Sequence, residues 1–158
     1  VRSENKMIYG DPFTFALQFD VVGSWNAPGD IWKNGMFAIY IDGKRIFSVV
    51  DVFELATTLS FYSKSNIEEL KENNTLSSAS EVFKNAQEYF LGDEEVLIDG
   101  LLDLTCTAME DNCCYLYFLK TSNGDRLVWR SENGGEINNI TLPKGNVLNV
   151  INQLEQSF

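Results

Sequence analysis

Apolar residues recur along this chain at two periods, and the change from one to the other marks its elements. Phe13, Phe15, Leu17 and Phe19 alternate with polar or small residues, which is the period of a strand with one face in a core. The strand is predicted over residues 13–22. Residues 36–41 and 44–49 flank Asp42-Gly43. Both central positions of a type I′ turn need positive φ, and Asp-Gly accepts it, so these segments are predicted to form a β-hairpin. Asp51 then reads as a helix N-cap, with Val52, Leu55, Ala56 and Leu59 spaced as a buried stripe. A short helical turn is expected over 67–71, and the polar residues 73–80 read as a loop.

Ser78-Ala79-Ser80-Glu81 matches a capping box, in which serine and glutamate satisfy orphan amides reciprocally. The helix it opens is predicted to turn Val82, Phe83, Ala86, Tyr89 and Phe90 inward and to stop at Gly92. Strands are then expected over 97–109, 113–120, 126–131 and 136–142. Asp111-Asn112, Asn123-Gly124 and Gly134-Gly135 separate them, so this half reads as an antiparallel meander. Leu142-Pro143-Lys144-Gly145 interrupts the pattern before a final helix over 147–154. Gly10-Asp11-Pro12 reads as a turn. The loop over 23–34 carries Trp25 and Trp32, which either close over the core as a lid or stand as exposed anchors. The expected fold is a single α+β domain, a mainly antiparallel twisted sheet packed with about three helices.

Composition agrees with one domain. At 158 residues and 44% hydrophobic, the chain can bury about 70% of its unfolded surface. Residues 1–6 read as an appended or processed leader, because Met7-Ile8-Tyr9 looks like a natural start, and residues 7–158 form the domain. No apolar run approaches the ~18 residues of a membrane span. The three cysteines, Cys106, Cys113 and Cys114, fit a reducing compartment, since an odd count makes a poor disulfide framework. Their apolar neighbours predict small, buried, reduced thiols.

Charge is unevenly placed. The net charge is -11, and between Asn85 and Leu119 eight carboxylates occur with no lysine or arginine. Such a stretch repels nucleic acid and anionic membrane and attracts a basic protein. The candidate partner-binding residues are Asp93, Glu94, Glu95, Asp99, Asp103, Glu110 and Asp111. The competing reading is acidic surface that only keeps the protein soluble.

Catalytic and cofactor signatures are absent. The chain has no histidine, so a Ser or Cys nucleophile lacks its usual base. Gly134-Gly135 has neither the spacing nor the lysine of a phosphate-binding loop. The pairs Asp99/Asp103 and Glu94/Glu95 have the residue types of a glycosidase, but solvated acids are far commoner. The segment 93–103 lacks the alternating oxygens and glycine of an EF-hand, and the cysteines lack zinc spacing. The residues therefore point to a binding protein, with no enzyme activity, cofactor or metal.

Several of these segments carry a resemblance. Met7-Ile8-Tyr9-Gly10-Asp11-Pro12, the strand after it, the Trp25 loop and Tyr40-Ile41-Asp42-Gly43-Lys44-Arg45 together resemble the immunity protein 42 family. Leu142-Pro143-Lys144-Gly145 before a terminal helix is similar to that family too. The resemblance implies a bacterial cytoplasmic antitoxin. Such a protein binds and neutralises the C-terminal toxin domain of a polymorphic or contact-dependent growth inhibition system. It implies no catalytic motif and no fixed set of contact residues. The acidic stretch agrees with that role, because many such toxins are nucleases and need basic surface for their substrate. The alternative is an acidic adaptor or scaffold for a basic cellular partner, which the genomic neighbourhood would separate from an antitoxin.

Overall fold

A computed structural model describes residues 7–31, 33–47, 49–92 and 98–156, the side chains of 155 and 156 excepted. Residues 1–6, read above as a leader, lie outside that range, as do Trp32 and the acids Asp93, Glu94 and Glu95. The chain divides into two compact units, Val1–Ser65 with Val147–Phe158, and Asn66–Asn146.

The first unit begins with β1 (Ile8–Asp11), β2 (Phe15–Val21) and β3 (Asn34–Ile41). β4 (Lys44–Arg45) and β5 (Phe53–Glu54) pair with opposite ends of β3, completing a five-stranded antiparallel sheet. The turn forms as predicted: Asp42 and Gly43 take φ of 53° and 75°, the left-handed values a type I′ turn requires. The arm expected over 44–49 is, among the described residues, strand only over Lys44–Arg45. β1 was not expected as a strand, because Gly10-Asp11-Pro12 reads as a turn; the turn instead starts at Pro12, beyond the ladder. Phe13 is a correction. It sits 78% exposed in that turn, where its amide donates to the Asp11 carboxylate at 2.9 Å, so the inward row begins only at Phe15.

Phe15, Leu17, Phe19, Phe37, Ile39 and Ile41 are all buried, and each contributes about 1.5–3 kcal/mol relative to an exposed side chain. Phe19 and Phe37 face each other across the ladder with rings 5.3 Å apart, and Tyr62 stacks on Phe37 at 5.8 Å. Tyr62 comes from α1 (Leu55–Ser63). That helix does not start at Asp51 as expected. Residues 53 and 54 are taken as strand by Gly35 and Asn34, so the cap passes to Glu54, whose carboxylate accepts the Thr57 amide at 2.5 Å. Leu55 and Leu59 are buried as predicted, whereas Val52 precedes the helix and is exposed.

The second unit holds α2 (Ala79–Leu91), β6 (Leu101–Asp103), α3 (Thr107–Glu110), β7 (Tyr115–Lys120), β8 (Asp125–Arg130) and β9 (Asn138–Leu142). Its four strands form the expected meander in chain order. They make a second antiparallel sheet, so the α+β class holds with the strands shared between two sheets. Ser78 caps α2 by accepting the Glu81 amide at 3.2 Å. Val82, Phe83 and Ala86 pack on Leu101, Tyr117, Leu119 and Val128. Tyr117 is the hub, edge-on to Phe83 at 5.5 Å and stacked on Phe90 at 5.8 Å. The predicted strand over 97–109 breaks after Asp103. There the Asp103 carboxylate accepts the Thr105 amide, and the Thr105 hydroxyl takes both the N–H and C=O of Leu116. This replaces further ladder bonds and lets α3 begin.

After β9 the chain enters α4 (Asn146–Asn152), near the predicted position. Val147, Val150, Ile151 and Leu154 are buried, and the single turn after α4 packs beside α1 within the first unit. None of the described helices is long and apolar enough to cross a membrane.

The cysteines split. Cys106 and Cys114 are buried, but Cys113 is exposed, correcting the expectation for all three. Cys113 turns the chain out of α3 with φ 56°, so only its neighbour points inward as β7 begins. Burial, with the Cys106 thiol adding to it, pushes the Cys114 thiol up to about 12, leaving almost no thiolate at neutral pH. Titration of the native protein with a thiol reagent is therefore expected to label Cys113 rapidly, and Cys106 and Cys114 only on unfolding. Rapid labelling of all three would contradict this burial.

Candidate functional site

Four of the seven candidate acids fall among the described residues, and the fold brings two of them together. Asp103 ends β6 half-buried, opposite Tyr117. Burial raises its pKa despite the Thr105 amide bonded to it, and the Glu110 charge raises it further. Glu110 is exposed at the end of α3. Burial likewise raises the Tyr115 pKa, and Cys113, Glu110 and Asp103 act in the same direction. Asp103, Glu110 and Tyr115 thus form one acidic neighbourhood beside α2. Asp99 lies at the far end of β6, in a turn whose carbonyl accepts from Asn73 at 2.9 Å. Asp111 follows Glu110 with its side chain in solvent.

The neighbourhood is not free of cations in space. β8 pairs Arg130 with Tyr115, and the guanidinium lies 5.0 Å from the centroid of the Phe83 ring, a cation–π distance. Its charge acts to lower the Tyr115 pKa. The Arg130 Nε is buried without a hydrogen-bond partner among the described residues. Sequence reading missed Arg130 because it enters from the next strand. Alternation of the β8 side chains, with Val128 in the core two positions earlier, is the signal that places it on this face.

The strap before α2 and β9 enclose a polar groove of about 360 Å³ lined by Asn74, Ser77, Arg126 and Asn139. Arg126 spends its guanidinium on the protein itself, donating to the Asn139 side chain at 2.6 Å and the Ser77 carbonyl at 3.1 Å. Among the described residues, no group of three His, Cys, Asp or Glu side chains is placed to hold a metal ion.

The Trp25 loop belongs to the first unit and is built rather than loose. Asn26 Nδ2 donates to the carbonyls of Val22 and Asn34, and its Oδ1 accepts the Asn34 amide at 2.8 Å. Asn34 in turn donates to the Trp25 carbonyl at 3.2 Å. Trp25 is 38% exposed, so it is not sealed over the core, and Trp32 lies outside the described residues. Burial opposes ionisation of nearby Glu54. The amide and hydroxyl of Thr57 and the amides of Lys33 and Ala56 outweigh it and hold the carboxyl below its usual value.

These features define an α+β protein with charged and apolar surfaces suited to contact. The chain belongs to the immunity protein 42 family, whose family model matches residues 7–157. Its fold is similar to the crystal structure of CdiI from Burkholderia dolosa AUO158. The TM-score is 0.76 at 20% identity, over 94% of this chain and 97% of that one. No curated protein matches the chain in sequence.

Ionising Asp103 works against burial, so its raised pKa means stability that is full below the ordinary value of 3.8 and declines as pH rises through the folded value. Asp103→Asn keeps the carbonyl that accepts from Thr105 and removes the charge. It is expected to raise the melting temperature at pH 7 and to leave it unchanged at pH 3. A variant less stable than wild type at pH 7 would contradict this account.

Proposed function

We propose that residues 7–158 act as one immunity domain that binds a cognate toxin domain in the cytoplasm and neutralises it by direct contact. Family membership over residues 7–157 carries this reading, and the fold shared with a CdiI favours a contact-dependent growth inhibition system. The net charge of -11 suits a basic partner, and we take that partner to be a nuclease, whose substrate site must be basic. In this reading Asp93, Glu94, Glu95, Asp99, Asp103, Glu110 and Asp111 face the toxin in place of nucleic-acid phosphates. Neutralising a lethal enzyme calls for roughly -12 kcal/mol, or nanomolar affinity. An interface of about 1,600 Å² with a few desolvated anchors can supply it. The chain itself performs no catalysis and uses no cofactor.

The toxin domain encoded immediately upstream is expected to co-purify with this chain, and cells making both are expected to grow where the toxin alone arrests them. A toxin that neither co-purifies nor loses its lethality removes the proposal. The charge contribution is read separately with Asp99→Lys, Glu110→Lys and Asp111→Lys combined, all at exposed positions. Association is expected to slow on the order of 10-fold at low salt. The difference should shrink as ionic strength rises from ~0.01 to ~0.15 M, because the Debye length falls from ~30 to ~8 Å. Identical rates at both salt concentrations would leave these acids as solubility chemistry.

A further inference from the structure

We infer that the apolar, acid-rimmed end of the first unit's sheet is the anchor of the toxin contact, a surface for a basic protein that presents an apolar protrusion. The inference rests on the immunity reading and locates where its affinity arises. Eleven large apolar side chains are exposed among the described residues, and four of them are Val21, Trp25, Ile31 and Val52. The sheet register gathers the segments that carry them. Val21 ends β2 opposite Gly35, Gly35 pairs with Phe53 of β5, and Val52 precedes Phe53. The loop bearing Trp25 and Ile31 returns to the same end, where the Lys33 carbonyl accepts the Leu55 amide at 2.8 Å.

Scattered single apolar residues on a surface need no explanation, but several converging on one end of a sheet mark an interaction site. The Asn26–Asn34 bonds hold the loop in place without burying Trp25 or Ile31, which is 81% exposed. A loop ordered before binding loses little entropy on binding. Charge selects the occupant. Asp20, Asp30, Asp51 and Glu54 lie in the same segments, and Lys33 is their one basic residue. A second copy of this chain or an anionic bilayer would bring like charge against that rim, whereas a basic domain is attracted to it. The geometry therefore gives tryptophan and isoleucine the part of desolvated anchors and the acids the part of an orienting rim.

The test measures binding of the upstream-encoded toxin domain by calorimetry and surface-immobilised kinetics. Trp25→Ala and Ile31→Ala are made singly and together. Phe13→Ala is the control, because Phe13 is 78% exposed at the opposite end of the same sheet. The double variant is expected to bind at least about 30-fold more weakly, chiefly through faster dissociation, while Phe13→Ala stays within about 2-fold of wild type. Ile31→Ala carries the result alone if Trp25→Ala alters the circular dichroism spectrum. Wild-type chain that ignores the toxin domain overturns the immunity reading and this inference together. Wild-type chain that binds, with Ile31→Ala and the double variant binding equally well, overturns the anchor alone.

Discussion

The register between β2 and β3 is the constraint from which the first unit follows. Seven consecutive pairs run from Phe15 opposite Ile41 to Val21 opposite Gly35. A slip of one residue would turn every side chain to the other face, exchanging the buried phenylalanines for Gln18, Asp20 and Tyr40. The same register fixes what lies at each strand end. At one end it closes the Asp42-Gly43 turn. At the other it sets Gly35 beside the Asp20 carbonyl, where a Cβ would fall 2.0 Å from the oxygen and 2.7 Å from Leu55 Cδ1. The residue without a side chain thus admits Leu55, with which α1 starts. The Asp42-Gly43 turn and the Trp25 loop are two ends of one ladder.

In the second unit the governing balance is between apolar burial and the charges that border it. α2 covers the sheet with Val82, Phe83 and Ala86, and Tyr117 is drawn under it with its hydroxyl 3.4 Å from the Gln87 amide. Asp103 lies opposite Tyr117 on the same face, half-buried, and pays for its position in ionisation. Arg130 faces the same ground and rests on Phe83, a way of keeping a guanidinium partly dehydrated that an ammonium would manage less well. A stretch of chain without bases therefore does not become a surface without bases. The field here combines Asp103 and Glu110 with Arg130, which gives it direction as well as sign.

Much of the local structure was legible because it depends on residues close in sequence. Asp42-Gly43 makes its turn from backbone preference alone, Ser78 caps α2 with an oxygen three residues from the amide it accepts, and the meander follows its turn residues. Two misreadings share one cause. Asp51 lost the cap because β3, more than fifteen residues earlier, captured residues 53 and 54 as strand. The strand expected over 97–109 was cut short because Thr105 found Leu116. In both a partner distant in sequence outbid a local preference that is worth little by itself. Phe13 differs: it kept the alternation but fell in a local turn that begins at Pro12, its amide held by Asp11.

The sequence by itself determined the α+β class, the order of the strand-rich and helical segments, the excess of acid and the absence of a histidine-based site. These follow from composition and period, which act over a few residues or over the whole chain. Tertiary structure alone decided that the strands form two sheets, that the Glu110 charge acts on Asp103 while Asp99 stands at the far end of β6, and that Arg130 faces Tyr115 from the next strand. It also decided that Ile31 stands in solvent and that Trp25 is left partly exposed. Each outcome depends on strand register, and register is chosen by the summed burial of whole faces, a quantity no single segment contains.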